Sequence, residues 1–422
     1  MSSIEWTAAA QAPPRTLRVN YQRVVNVVFA IFVFSGMMSI IEPSPYDFTS
    51  LLAMLVWFMG GFRLNATLIP ILFLWVFYQI SGFVSLMPYW HEPDPWLFQM
   101  QSLYLFTTVV FFSLFFSENT LERSEVCLKA FTAGAIVSAI IGLIGYFNVA
   151  GLGPALTVIE GRVSATFKDP NVFGSYLTLA TTFVLHSLYL RKLKHPILSM
   201  IGLGIMMMGV FLSFSRGSWA ANIGAMGIMT MAVFITAEQR ATRRRIGWIM
   251  FAAVCALIVG LMVILSIEEI RTVFLDRFTL AKDYDQGETG RFGNQARGLS
   301  MLLDRPLGFG PLRFRLWFDL EPHNTFISAF ANNGWAGGLI WIFIVVMTSI
   351  VGFRLMFVAS PFRSVAQVFF PPLFALLMQG FQIDIDHWRQ LYLAFGAVWG
   401  LEAARMKWKM QQRALPSGAV TA

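Results

Sequence analysis

Three basic side chains stand out by type and by setting. Arg216 lies in "SFSRGSWAAN" (213–222), between two apolar runs with almost no loop to separate them. A guanidinium never deprotonates in proteins and grips phosphate oxygens two at a time. Gly217 suits a tight turn there and Ser218 a helix cap, so Arg216 is expected to be a fixed anion clamp. The plainer alternative is an arginine that snorkels to lipid headgroups. Arg291 opens "TGRFGNQARGLSMLLDRPLGFGP" (289–311). Phe292, Ala296, Leu299 and Leu303 recur at helical spacing, which predicts an amphipathic helix lying on a membrane or capping a bundle. With Thr289 as its N-cap, Arg291 falls in the first turn, where backbone N–H groups also face any anion. For Arg291 an anion contact and a solvated surface are equally good readings; Arg297 and Arg305 read as solvated. His323, one of five histidines, sits in "EPHNTFISAFANNGWAGGL" (321–339). Pro322 suits a first helical turn, and Asn324 or Thr325 suits its cap. The positive end of the helix dipole disfavours imidazolium, so a neutral ring able to accept a proton is expected. That is what a general base needs. Taken alone, a histidine bonded to a loop carbonyl is the better reading.

Other polar groups surround these three. "GRVSATFKDPNVFGSYL" (161–177) supplies Arg162 and Lys168, which could extend an anion site, and Asn171 as a helix cap. Asn332 and Asn333 are suited to helix packing or to a polar headgroup, with Gly334, Gly337 and Gly338 for close helix contact. "FQIDIDHWRQ" (381–390) carries Asp384, Asp386, His387 and Arg389. Two carboxylates and one imidazole in a short loop are weak evidence for a metal; sugar binding or a loop-locking salt bridge fits as well. Asp276, Asp283, Asp285 and Glu288 cluster without a metal-binding motif. No zinc pattern or Gly-rich nucleotide loop is present, so neither a metal nor a cofactor is expected.

These residues need elements to hold them. The chain has 422 residues, 56% hydrophobic and 13% charged, against about 25% charged in soluble domains. It is expected to be an all-α integral membrane protein. A hydrocarbon core of about 30 Å takes roughly 20 apolar residues per helix. Twelve runs qualify: 24–41, 48–62, 66–86, 97–117, 126–149, 171–190, 196–214, 217–237, 246–267, 324–353, 365–380 and 390–404, the second and last two being short. With twelve spans, 19 of the 31 Lys and Arg fall on the side of the termini, among them Arg15, Arg18, Arg63 and Arg240, Arg243, Arg244 and Arg245. The positive-inside rule then makes both termini cytoplasmic. The organisation expected is a cytoplasmic arm over 1–23, acting as an uncleaved signal anchor, a bundle over 24–267, a periplasmic loop over 268–322, three spans over 323–404 and a cytoplasmic tail over 405–422. Outside the long loop only Arg162, Lys168, Arg216 and Arg389 lie on the outer face, against the local bias. The formal charge of +8 forms no continuous stripe, which argues against nucleic acid. Cys127 and Cys255 lie in apolar runs, which argues against a structural disulfide.

"SRGSW", "GR" followed by an amphipathic helix and "DRPLGFGP", and "PHNTF" followed by "NNGWAGG" together resemble the O-antigen ligase and O-antigen polymerase superfamily of bacterial envelope glycosyltransferases. The layout resembles it too, with about twelve spans and one large late loop. The resemblance implies a GT-C-like membrane fold and a metal-independent glycosyltransferase of the inner membrane, working at its periplasmic face. The donor implied is a glycan on undecaprenyl diphosphate; the acceptor is lipid A core for a ligase or a growing glycan for a polymerase. It implies further that Arg216 and Arg291 hold the diphosphate and that His323 activates the acceptor hydroxyl, with Arg162, Lys168, Asn324, Asn333 and Arg389 as candidate substrate contacts. The rival from another class is a transporter of lipid-linked glycans. A transporter places ionisable groups at mid-membrane, whereas here they gather at the outer boundary.

Overall fold

A computed structural model describes residues 20–62, 64–158, 161–278 and 287–414. Arg15, Arg18, Arg63, Asp283, Asp285 and the last residues of the tail lie outside them. Each of the twelve apolar runs is a helix, and the chain is an all-α membrane protein. In chain order the helices are α1 (Tyr21–Ser35), α2 (Pro45–Met59), α3 (Ile69–Leu86), α4 (Pro93–Phe116), α5 (Thr120–Tyr146), α6 (Gly153–Leu156), α7 (Pro170–Tyr189), α8 (Pro196–Leu212), α9 (Arg216–Thr236), α10 (Arg240–Ile264), α11 (Glu268–Phe278), α12 (Arg291–Leu302), α13 (Arg315–Phe318), α14 (Thr325–Phe357), α15 (Arg363–Gln379) and α16 (Arg389–Ala414). Among the described residues six are long and apolar enough to cross a membrane: α3 with its flanking 3-10 turns, α4, α5, α9, α10 and α14. α1, α2 and α8 are shorter apolar helices. α7, α15 and α16 are buried on most sides, the setting of a helix at the centre of a bundle. Among the described residues the sheet is one two-stranded hairpin, Thr157–Val158 against Arg162–Val163, and the apolar pattern did not announce it.

Two aromatic clusters and several close helix contacts hold the bundle. Phe29 of α1 packs against Phe111, Phe112, Phe115 and Phe116 of α4. Trp75 and Tyr78 of α3 pack against Trp341 of α14, and Trp75 also meets Phe395 of α16. α16 lies directly on α4 because Gly396 and Gly400 leave room: a Cβ there would stand 2.3 Å from the Phe112 Cβ and 2.6 Å from the Phe116 Cβ. Small residues serve membrane helices in this way, since lipid supplies no hydrophobic drive for helix association. α16 runs past 404 because Glu402 is buried between Arg405 (2.7 Å) and Arg354 of α14 (2.6 Å).

α14 is broken at Gly334, whose φ of 69° and ψ of −175° are open to glycine alone. The break exposes backbone groups that must find partners. The Ala331 carbonyl accepts the N–H of Phe309 (2.8 Å) and of Gly310 (3.1 Å), and the Trp335 N–H donates to the Pro306 carbonyl (2.9 Å). Asn332 adds its Oδ1, which accepts the Leu312 N–H at 3.2 Å. The "DRPLGFGP" segment is thereby stitched into the helix, which steadies the loop carrying α12 and α13.

Gly396→Val should be severely destabilising, because the new methyls meet Phe112 and the α4 backbone; over-packing of this kind costs about 1–3 kcal/mol or more. Gly224→Ala, at an α9 position with open space around it, should leave stability unchanged or slightly raised. Apparent melting temperatures of the two purified variants in detergent check the contrast.

Candidate functional site

The first turn of α14 is fixed from outside the helix. Asn324 is its N-cap, accepting from the N–H groups of Phe326 (3.0 Å) and Ile327 (3.2 Å), which is one of the two caps expected. His323 precedes it in the left-handed region, with φ 48°. Such a φ is uncommon outside glycine, and a surrounding constraint must hold it. The constraint is Asp384, in the loop between α15 and α16. Its carboxylate accepts the backbone N–H of His323 (3.0 Å) and of Asn324 (3.1 Å), together with the Ser328 hydroxyl (2.5 Å). The His323 Nδ1 stands 3.8 Å from Asp384 Oδ2. Thr325 locks the same loop: its N–H donates to Gly380, its hydroxyl donates to the Ile383 carbonyl, and that hydroxyl accepts from Ile385 N–H.

Arg291 reaches this loop from α12. Its Nη1 donates to the Gln382 carbonyl at 3.3 Å, while Gln295 one turn on donates to the Pro322 carbonyl at 2.7 Å. The start of α9, which carries Arg216, adjoins the same loop at Gly217. The cap of α9 is Ser215, whose hydroxyl accepts the Ser218 N–H, and not Ser218; two serines three residues apart could each serve, and the turn at Phe214 (φ 45°) favours the first. Gly217 is helical rather than a turn residue. Its value is space, since a Cβ there would lie 2.9 Å from Gln379 Nε2 and 3.0 Å from Gln382 Oε1. Ser175 Oγ donates to Gln379 Oε1 (2.8 Å) and bonds Ser218 Oγ (3.0 Å), joining α7, α9 and α15. Arg162 backs the α9 start from the hairpin, donating to the Ser213 carbonyl (3.1 Å) and to Asn171 Oδ1 (3.0 Å). Asn171 is therefore not the cap of α7; Asp169 is, accepting from the Asn171 N–H. Likewise Gly290, not Thr289, caps α12, while the Thr289 carbonyl accepts from Asn294.

His323, Asn324 and Arg291 thus touch residues 379–384, the helix start that carries Arg216 lies beside that loop, and Arg162 backs this helix start. The remaining three candidates are engaged elsewhere. Lys168 pairs with Glu42 at 3.2 Å on the surface. Asn333 is buried and donates to the Tyr78 hydroxyl at 2.9 Å, with Gly82 of α3 leaving it room. Arg389 lies across the Asp47 carboxylate, 3.1 Å from both oxygens. Asp384, Gln379 and Gln382 join the cluster without having been singled out for it. The α12 helix is amphipathic as expected, but Asn294, Gly298 and Leu302 pack inward on Phe314 and Phe318. The stripe of Phe292, Leu299 and Leu303 faces outward, as an interfacial helix requires.

The carboxylates here are electrostatically loaded. Burial, reinforced by Asp386, pushes Asp384 up to about 7, against the opposing pull of its hydrogen-bond donors. Burial pushes Glu321 up to about 7 as well, with Asp384 adding to it and Arg315 opposing. His387 is raised: burial lowers it, but the Asp386 carboxylate and the Phe98 carbonyl outweigh that. Asp386 pairs with His387 at 3.3 Å while Asp384 turns to α14. Among the described residues no three His, Cys, Asp or Glu side chains are grouped to hold a metal.

Residues 201–342 match the family model described as O-antigen ligase. This segment is similar to the O-antigen ligase family. It runs from α8 to the middle of α14 and includes Arg216, Arg291 and His323, so the superfamily resemblance of the motifs stands. No curated protein matches the chain. The O-antigen ligase segment ends before Asp384, which reaches it through the fold.

Because both acids titrate near 7 when folded and in the ordinary carboxyl range when unfolded, the folded state holds protons that the unfolded chain has released. Stability from this source therefore falls as pH rises through about 4 to 7. Glu321→Gln should flatten the dependence of apparent melting temperature on pH and raise that temperature at pH 8; an unchanged slope would contradict the assignment. At the other carboxylate, Asp47→Asn and Arg389→Gln should each cost about 1–3 kcal/mol, and the double variant less than their sum. A transfer defect in Arg389→Gln that Asp47→Asn lacks would instead make Arg389 a substrate contact.

Proposed function

We propose that this protein is an O-antigen-ligase-type glycosyltransferase that moves a glycan from undecaprenyl diphosphate to an acceptor at the periplasmic face of a bacterial inner membrane. The observation that carries this reading is the meeting of the starts of α9, α12 and α14 on residues 379–384, which brings two arginines and one histidine to one end of the bundle. As the glycosidic bond to the diphosphate breaks, negative charge builds on the leaving oxygen. Arg216 and Arg291, held in place before the reaction, stabilise that charge. The acceptor hydroxyl attacks the anomeric carbon from the opposite face and gives its proton to the His323 imidazole. One bond forms as one breaks, so the anomeric configuration inverts. Asp384 acts through His323, setting its backbone and facing its Nδ1. Lipid A core and a growing glycan are both acceptors that this chemistry would serve. The bias of Lys and Arg toward the other face supports the sidedness.

Arg216→Ala, Arg291→Ala and His323→Ala should each lower transfer by at least about a hundredfold with insertion intact, while Arg297→Ala keeps most of it. Reconstitution with a lipid-linked donor, offered either lipid A core or a second lipid-linked glycan, reads transfer directly. The glycosylated acceptor distinguishes ligase from polymerase. Full activity in purified His323→Ala would sink the base assignment, and substrate flipping without transfer would favour a transporter.

A further inference from the structure

The end of the bundle opposite His323 carries a site of another kind. α7 runs from its Asp169 cap near Arg162 to Tyr189 at the far end. There Lys192 meets Ser364 at the start of α15, and Gln367 meets Thr236 at the end of α9. On this face an open groove of about 460 Å³ lies between the turn after α7 and the first turns of α10, lined by Arg191, Arg244, Arg245, Trp248, Ile249 and Ala252. A second hollow beside it adds Phe251. One wall is cationic and the other apolar.

Among the described residues no carboxylate lines either hollow, and α10 has no acidic residue in its first turn. Arg245 is anchored by its bond to the Tyr189 carbonyl (2.7 Å). Arg243 turns away, to the Ala237 carbonyl and the Phe234 ring. Glu238, the nearest acid in sequence, leans toward Arg363. Like charges held this close repel, and an anion between them removes the repulsion. The apolar wall decides which anion. Trp248 and Phe251 are 69% and 62% exposed, and the groove opens onto α10, whose apolar length is almost wholly unburied. A soluble anion would use the arginines and leave that wall bare. A phospholipid uses both: guanidinium groups grip phosphate, and tryptophan sits where headgroup meets chain. Basic pockets beside membrane helices take anionic headgroups in this manner.

We propose that this groove binds an anionic phospholipid of the surrounding membrane, its phosphate on Arg191 and Arg244 and an acyl chain along Trp248 and Phe251. The lipid fills the side of α10 that the bundle leaves uncovered. The site is independent of the glycan chemistry, and its test does not read activity. The full-length protein, stripped of lipid in detergent, is titrated with phosphatidylglycerol or phosphatidylcholine and bound lipid is counted by native mass spectrometry. Phosphatidylglycerol should bind at least about tenfold more tightly, and the Arg191→Gln/Arg244→Gln double variant should lose that preference. Arg191→Gln alone, a single change in an exposed turn, should lose part of it and serves if the double variant folds poorly. Trp248→Ala should weaken retention of both lipids. Equal binding of the two lipids, or an undiminished preference in either arginine variant, overturns the proposal. So does displacement of the lipid by millimolar inorganic phosphate, which would make the groove a soluble-anion site.

Discussion

The candidate site depends on one carboxylate. Asp384 takes three donors from the start of α14 and holds His323 in a backbone conformation that a non-glycine residue seldom adopts. A carboxylate buried against another acid is costly, and charge-assisted hydrogen bonds offset only part of that cost here. The same loop receives Arg291 through Gln382 and adjoins the start of α9 through Gln379 and Gln382. Together with Thr325, Asp384 ties the start of α14 to the loop that α9 and α12 also meet.

Polar contacts between helices extend that attachment inward. Ser175, Ser218 and Gln379 join α7, α9 and α15, and Asn222 with Thr181 continues the α7–α9 seam. Each bond is modest in energy where the alternative partners are also within the protein. Their value lies in direction, since they set the rotation of each helix and so the aim of the residues at its start. Arg389 contributes at the rim, tying the start of α16 to Asp47 at the start of α2.

The twelve helices were legible because each run is long, apolar and punctuated, and the three basic motifs were legible because each lies at the start of a helix. Caps were less so. Ser215 and Ser218, Asp169 and Asn171, or Thr289 and Gly290 are chemically near-equivalent within three residues, and only the backbone path chooses between them. The spacing of Phe292, Leu299 and Leu303 revealed a stripe without revealing which way it faces. Asp384 was singled out, but its partners were not: they lie some sixty residues earlier, and no local pattern encodes that a loop between two late helices folds back over the start of a third. The similarity to the O-antigen ligase family covers residues 201–342, and the tertiary fold supplies the rest of the cluster.

The break at Gly334 has a mechanical meaning. A straight α14 would satisfy its own Ala331 carbonyl and have nothing to offer Phe309 and Gly310. Helix regularity and loop seating are therefore mutually exclusive, and one glycine chooses between them. The short first segment of α14, with Asn324 at its head, is in effect a separate post set between a pinned loop and a carboxylate. Its direction is thus set by the loop and by Asp384 rather than by the membrane-crossing remainder of the helix.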